Sequence, residues 1–205
     1  NEDEVARIVD AVVAADAVAI PFGGGSNIVA SLEAEPGEQR QVVSVNLGRM
    51  NRVLAIDEQS GLAHIQAGVF GPAMEEQLQA RGWTMGHHPD SFVWSTLGGW
   101  IATRSSGMQS DKYGDIADIC RGLRMVMPGQ ILSLRPLPST SSGPSVREMV
   151  LGSEGRLGII TSAWVNVHRI PEVREIQAYF FSTYEDGLKA CEQIVSSDAS
   201  VMMAR

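Results

Sequence analysis

Residues 17–22 form a short apolar run that ends on three consecutive glycines, Gly23-Gly24-Gly25, followed by Ser26 and Asn27. Regular structure does not continue through such a triplet, because each glycine gives up the most backbone entropy on ordering and offers no side chain to pack. The chain must therefore leave a strand for a loop at this point. Successive N–H groups can converge there with no Cβ in the way, an arrangement suited to anionic oxygens such as those of a pyrophosphate. The spacing is neither that of a phosphate loop ending in Gly-Lys-Ser/Thr nor the G-x-G-x-x-G dinucleotide fingerprint. A tight structural turn is the alternative reading of the triplet alone.

The flanking pattern places this loop in an α+β chain. Val5, Ile8, Val9, Val12 and Val13 recur at helical spacing, so residues 2–15 read as an amphipathic helix with Asp3 and Glu4 at its negative-favouring start. Residues 41–47 read as a second strand, and residues 52–56 and 62–67 as a hairpin around Asp57-Glu58-Gln59-Ser60-Gly61. Pro72 opens a helix over residues 73–81 that Gly82 stops. Residues 122–127 and 130–134 flank Pro128-Gly129, a type II turn pair, and residues 159–167 form a further strand. A parallel pair joined by the first helices is expected early, then a larger mixed sheet with flanking helices. Beyond Pro171 the pattern restarts as strand (176–181), helix (184–195) and strand (200–203), which reads either as the opening of another domain or as a hairpin packed back on the first.

Composition narrows the function. A net charge of −8 argues against a nucleic-acid partner, since phosphate neutralisation on that scale needs clustered Lys and Arg. No apolar run reaches the length of a bilayer span. Cys120 and Cys191 match no metal or haem spacing and read as core filling; with no secretory signal visible, they point to a reducing, cytoplasmic setting. No metal site is expected. The 21 glycines among 205 residues exceed the usual share of about 7%, and they concentrate in three places.

The second place is the stretch 86–114. Ser95 and Thr96 are good N-caps for a short helix through Thr103, and Gly98, Gly99 and Ala102 let a backbone or a flat ligand approach it. Hydroxyls and amides follow at Thr103, Arg104, Ser105, Ser106 and Gly107, then Tyr113 and Gly114, a set suited to the heteroatom edge of a flavin ring. The third is Gly152-Ser153-Glu154-Gly155-Arg156-Leu157-Gly158-Ile159-Ile160, three glycines running into a strand, which alone could be a bulge. His87 and His88 titrate near neutrality in water, but their place beside the motif favours a supporting role over acid–base work. His64 and His168 read as surface residues.

Together these blocks resemble the flavin domain of the vanillyl-alcohol oxidase superfamily, also called the PCMH-type FAD domain, over about residues 1–170. Within it, Gly86-His87-x-Pro89-Asp90-Ser91, Ser95-Thr96-x-Gly98-Gly99-Trp100 and Thr103-Arg104-x-Ser106-Gly107-Met108 are similar to the alkylglycerone-phosphate synthase family. His88 stands where that family commonly has a carboxylate.

The resemblance implies an α+β fold of two α/β subdomains, residues 1–50 and 51–170, with FAD between them, and a cap domain beginning at 171–205. Pro21, Phe22, Gly23, Gly24, Gly25, Ser26 and Asn27 would carry the pyrophosphate. Asp90 to Thr96, with Ser91 and Ser95 between them, would line the phosphate and ribityl side, and Pro89, Gly98 and Gly99 are expected among the cofactor-binding residues. Thr103, Arg104, Ser105 and Ser106 would reach towards the isoalloxazine, and Gly107, Tyr113 and Gly114 are expected among the cofactor-binding residues. Glu154, Gly155, Arg156, Leu157, Gly158, Ile159 and Ile160 would close the adenosine and ribityl side. The FAD is expected to be non-covalent, since the glycine loop has no histidine. The implied reaction replaces the acyl group of acyl-dihydroxyacetone phosphate by a fatty alcohol through a flavin N5 adduct, in ether-lipid synthesis, with catalytic acid–base groups C-terminal to Arg205. The alternatives are an FAD-linked oxidase or dehydrogenase of a 2-hydroxy acid such as glycolate or D-lactate, and a cofactor-binding piece without activity of its own. A small-molecule or lipid substrate, peripheral membrane contact and a homodimer are the expected partners.

Overall fold

The computed structural model describes residues 1–138, 140–199 and 201–203. In chain order the elements are α1 (Glu2–Ala14), β1 (Val18–Phe22), β2 (Val42–Asn46), β3 (Val53–Asp57), β4 (Leu62–Gln66), α2 (Gly71–Gln79) and β5 (Trp83–Thr84). A single 3-10 turn at Phe92–Trp94 precedes α3 (Leu97–Thr103), α4 (Ser110–Tyr113), α5 (Ile116–Ile119), β6 (Cys120–Met127) and β7 (Gln130–Leu134). The remainder is α6 (Val146–Val150), β8 (Ile159–Asn166), β9 (His168–Arg169) and α7 (Tyr184–Val195).

Helix α1 starts where its sequence dictates. The Asn1 side chain accepts from the Glu4 amide and Glu4 reaches back to Asn1, a capping box that satisfies two otherwise orphaned donors. Its buried stripe is narrower than the periodicity predicts: Val5, Val9 and Val12 are buried, whereas Ile8 and Val13 are 38% and 56% exposed. The helix leads into β1, which pairs in parallel with β2, Val18 opposite Val42 through Phe22 opposite Asn46. The expected parallel pair is therefore present.

The larger sheet runs β3-β4-β8-β6-β7 and is antiparallel at every pairing rather than mixed. Two of its neighbours are joined by tight hairpins whose turns hold Gly61 at φ 63° and Gly129 at φ 72°, and β8 returns between them in the opposite direction to both. One face packs on α2, α3 and α5, with Met74, Leu78, Leu97, Trp100, Ile101, Ile116 and Ile119 against Ile65, Leu123, Met125, Ala163 and Val165. A second cluster joins the two sheets: Val5 and Val9 of α1 and Val45 of β2 meet Val126 of β6 and Ile159 of β8. Arg124 reinforces that junction, donating to both Glu2 carboxylate oxygens at 2.7–3.1 Å while the Thr161 hydroxyl donates to Glu2 at 2.7 Å.

After β9 the chain has little to bury itself against. Residues 176–181, expected as a strand, have no sheet partner among the described residues and form none, and Ile176 and Phe180 are 88% and 97% exposed. Helix α7 forms, capped by Thr183 accepting from the Asp186 amide, but no residue of it is buried. The expected strand at 200–203 lies partly outside the described residues, and Val201, Met202 and Met203 are not in a strand.

Candidate cofactor-binding cleft

The three glycine groups converge on one cleft of about 600 Å³, within the range that small-molecule and cofactor sites occupy. The first wall is the loop after β1. Two of its glycines are required by close approach. A Cβ on Gly24 would lie 1.7 Å from the Trp94 carbonyl oxygen, and one on Gly23 would lie 2.3 Å from Thr96 Oγ1. Gly25 instead takes φ +74°, the left-handed region that only glycine occupies cheaply. Among the described residues, no acceptor takes the backbone amides of Gly24, Gly25, Ser26 or Asn27. Four consecutive donors thus stand at the wall of the cleft, Gly25 and Ser26 exposed and Gly24 and Asn27 half-buried, without a protein acceptor. The Asn27 side chain folds the next turn by accepting from Val29 and Ser31 at 3.1 and 3.0 Å.

The second wall is the segment leading into α3. Thr96 caps the helix by accepting from Gly99 at 3.3 Å, and Gly98 lets the helix approach β4's end, since a Cβ there would meet Ala67 Cβ at 2.9 Å. Ser95 is fixed by Trp100, whose indole Nε1 donates to it at 2.6 Å, while the Ser95 hydroxyl donates to the Ser91 carbonyl at 2.8 Å. Asp90, Ser91, Ser95, Thr96, Gly98, Gly99, Thr103 and Ser105 line the cleft on this side.

The third wall is the turn before β8. Glu154 sits at φ +50°, with its amide donating to Ala102 at 2.9 Å, and Gly155 presses on Pro21, where a Cβ would come within 3.2 Å. Gly158 and Ile160 complete it. Asp90 and Glu154 are the titratable groups on the wall, and no Lys or Arg lines it among the described residues.

Pro21 to Asn27 all line the cleft, as do Asp90, Ser91, Ser95, Thr96, Gly98, Gly99, Thr103, Ser105, Glu154, Gly155, Gly158 and Ile160 among the sequence-predicted residues. Nine others lie off the wall. Arg104 takes φ +53° after α3 and pairs with Glu148 at 2.9 Å. Gly107 packs on His87 and His88, Tyr113 covers Gly86, and Gly114 packs on Asp118. Pro89, Ser106 and Arg156 flank wall residues without joining them, and Leu157 and Ile159 face a smaller apolar pocket against α1. Conversely, Ile28, Val29, Ser31, Leu32, Leu47 and Trp100 line the cleft without having been singled out for it, and Ala102, expected only to let a backbone or flat ligand approach α3, lines it too. Ala102 was legible, three residues beyond Gly99 on one helix face. Leu47 was not, since it reaches the cleft only through the β1–β2 register.

Of the histidines, His87 stands directly behind the wall. His87 is 1% exposed, its Nε2 lies 2.9 Å from Ser105 Oγ, and its ring edge meets Trp100 with centroids 5.1 Å apart. Burial pushes its pKa down to about 4, so the ring is neutral at physiological pH. His88 packs on Phe92. His64 is half-buried rather than superficial, stacked on Trp164 with centroids 4.1 Å apart, while His168 is exposed.

A strand running into unpartnered glycine-loop amides, faced across a cleft by a helix start and a second glycine turn, defines a nucleotide-cofactor-binding protein. The model of the FAD binding domain family matches residues 1–134, and the chain belongs to that family, with FAD as its cofactor. An alkyldihydroxyacetonephosphate synthase of Dictyostelium discoideum is 45% identical over all 205 residues, which make up 33% of that protein. A solved alkyldihydroxyacetonephosphate synthase superposes with a TM-score of 0.79 at 47% identity, covering 83% of this chain and 31% of its own. A glycolate oxidase subunit of Bacillus subtilis is more distant, 29% identical over 96% of this chain and 42% of that protein. The chain therefore spans about a third of the length of the synthases it matches.

Proposed function

We propose that the cleft holds FAD non-covalently and that the protein is an enzyme of the alkyldihydroxyacetonephosphate synthase type, exchanging the acyl group of an acyl-dihydroxyacetone phosphate for a fatty alcohol. The observation that carries the cofactor assignment is the row of unpartnered amides from Gly24 to Asn27 on the wall of a cleft of about 600 Å³. The wall fits the group: neutral donors for a pyrophosphate, hydroxyls at Ser95, Thr96, Thr103 and Ser105 for a polar ribityl chain and ring edge, and apolar Leu47, Ala102 and Ile160 for flat surfaces. The reaction assignment leans on 45% identity through the whole chain to a Dictyostelium discoideum synthase and on 47% identity, over 83% of this chain, to a solved synthase structure.

Bound FAD supplies a redox-active, electrophilic ring; this chain's residues bind and orient it. The amides of the glycine loop accept negative charge without titrating. Thr96 and Ser95 are held by their own bonds to Gly99 and Trp100, so their positions are set before a ligand arrives. Residues 171–205 open the substrate-side unit in this reading, and their exposed Tyr179, Phe180 and Phe181 suit packing against it.

The test is anaerobic turnover of the FAD-loaded protein. Ether product formed from acyl-dihydroxyacetone phosphate and a fatty alcohol, with the flavin band unbleached, is the expected result. Rapid bleaching by glycolate or D-lactate, with no ether product, would instead place the protein with the hydroxy-acid oxidases to which it is more distantly similar.

A further inference from the structure

We propose that Ser31 and Glu154 form a clasp across the cofactor cleft and that this hydrogen bond sets how fast FAD enters and leaves; the proposal rests on the FAD reading of the cleft. The Ser31 hydroxyl donates to Glu154 Oε2, joining residues 123 positions apart, and both side chains line the cleft.

Each half of the clasp is prepared by its own loop. Asn27 Oδ1 accepts from the amides of Val29 and Ser31, and Ala30 takes φ +59°, so the strap 27–31 arches from the glycine loop and presents Ser31 at its far end. Opposite, the amides of Gly152 and Glu154 donate to Ile101 and Ala102 at 3.0 and 2.9 Å, which ties the turn to the end of α3 and holds Glu154 at φ +50°. The strap has little else to hold it down: Ile28 is 96% exposed and Val29 62%. A strap anchored at the glycine loop, unsupported along its middle and hydrogen-bonded at its end to the opposite wall, is a closure whose opening costs about one charge-assisted hydrogen bond. Opening on that scale is local and leaves the core intact.

A gate of this kind has a kinetic signature distinct from that of a direct ligand. Weakening it raises the open population, so release and uptake accelerate together while the equilibrium constant changes little. Ser31→Ala, Glu154→Gln, the double variant and Ser31→Thr are compared in FAD-loaded protein, with release followed as the rise of free-flavin fluorescence on dilution and uptake as its fall on mixing apoprotein with FAD. The expected result is that Ser31→Ala speeds both rates by about tenfold and Glu154→Gln, which keeps an acceptor but loses its charge, by a smaller factor. The double variant should be no faster than Ser31→Ala, and Ser31→Thr, which keeps the hydroxyl, should match the parent. Parent-like rates in Ser31→Ala would overturn the clasp, as would additive effects in the double variant. Faster release with unchanged uptake would make Ser31 a direct contact of the cofactor instead. If Glu154→Gln loses FAD altogether, the Ser31 pair alone decides. Failure of the parent protein to bind FAD would remove the reading of the cleft and the clasp with it, an outcome separate from unchanged rates on intact binding.

Discussion

Replacing Gly24 by alanine tests the cleft where its geometry is least forgiving. The new Cβ would lie 1.7 Å from the Trp94 carbonyl oxygen, 2.6 Å from its carbonyl carbon and 3.1 Å from Ser95 Cα, all backbone atoms. No rotamer change relieves such contacts, so one cleft wall must move away from the other by more than an ångström. Gly24 does not need glycine for its dihedrals, since its φ is not positive, and the whole penalty is therefore steric. Overpacking of this kind costs about 1–3 kcal/mol. Because the displaced atoms lead directly to Ser95 and Thr96, most of that cost falls on the bound state, which weakens FAD binding by roughly 10- to 100-fold. Titration of apoprotein with FAD, followed by flavin fluorescence and by the shift in melting temperature, measures it. Gly37→Ala is the control: at φ +92° with nothing within 4 Å, it should lower stability slightly and leave FAD affinity alone. A Gly24→Ala protein that binds FAD as tightly as its parent would refute the argument.

Three further outcomes are expected. The fold holds the neutral ring of His87, whose pKa falls from 6.5 to about 4; between those values the unfolded chain takes up a proton that the folded one refuses, so stability falls as pH drops through that window. His87→Gln should flatten the acid side of the melting-temperature profile there, and an unchanged slope would contradict the burial argument. The Cys120 thiol is buried, with its pKa pushed up to about 12, whereas Cys191 is half-buried; a thiol reagent at pH 8 should therefore modify one cysteine in native protein and two after denaturation. FAD affinity should change less than about threefold between 0.05 and 0.5 M salt, because the proposed phosphate site is made of neutral groups; a loss of tenfold or more would require cations that the described wall lacks.

The legible parts of this protein were those that local chemistry dictates. The triplet Gly23-Gly24-Gly25 marked the loop, Thr96 marked the start of α3, and Pro128-Gly129 marked a turn that holds Gly129 at φ 72°. Each of those signals lies within a few residues of its effect. Residues 103–107 show the limit. A run of small and hydroxylated residues suggests a ligand, but only packing decides which side chains reach it: Thr103 and Ser105 line the cleft, while Arg104 turns away to Glu148. The strand expected at 176–181 fails for a related reason, since alternation makes a strand only where a sheet edge is present to pair with it. Ser31 was invisible because its significance depends on Glu154, 123 residues later.

That no lysine or arginine lines the cleft among the described residues bears on what the cleft is built to do. A lysine or arginine would hold a pyrophosphate strongly, but with a long, mobile side chain whose ordering opposes binding. Backbone amides are ordered by the fold itself, so the entropy is spent before the ligand arrives, and they present directions as well as charge. Such a site discriminates by shape. Its precision then depends on the three walls keeping their spacing, which is why contacts between walls recur: Gly24 on Trp94, Gly23 on Thr96, Gly155 on Pro21 and Ser31 on Glu154. The first three have no side-chain freedom on the glycine side and fix the distance. The fourth joins two side chains that turn about their own single bonds, one of them on a loop whose Ile28 is 96% exposed, and in the proposed clasp it is the contact that opens to admit a cofactor without disturbing the rest.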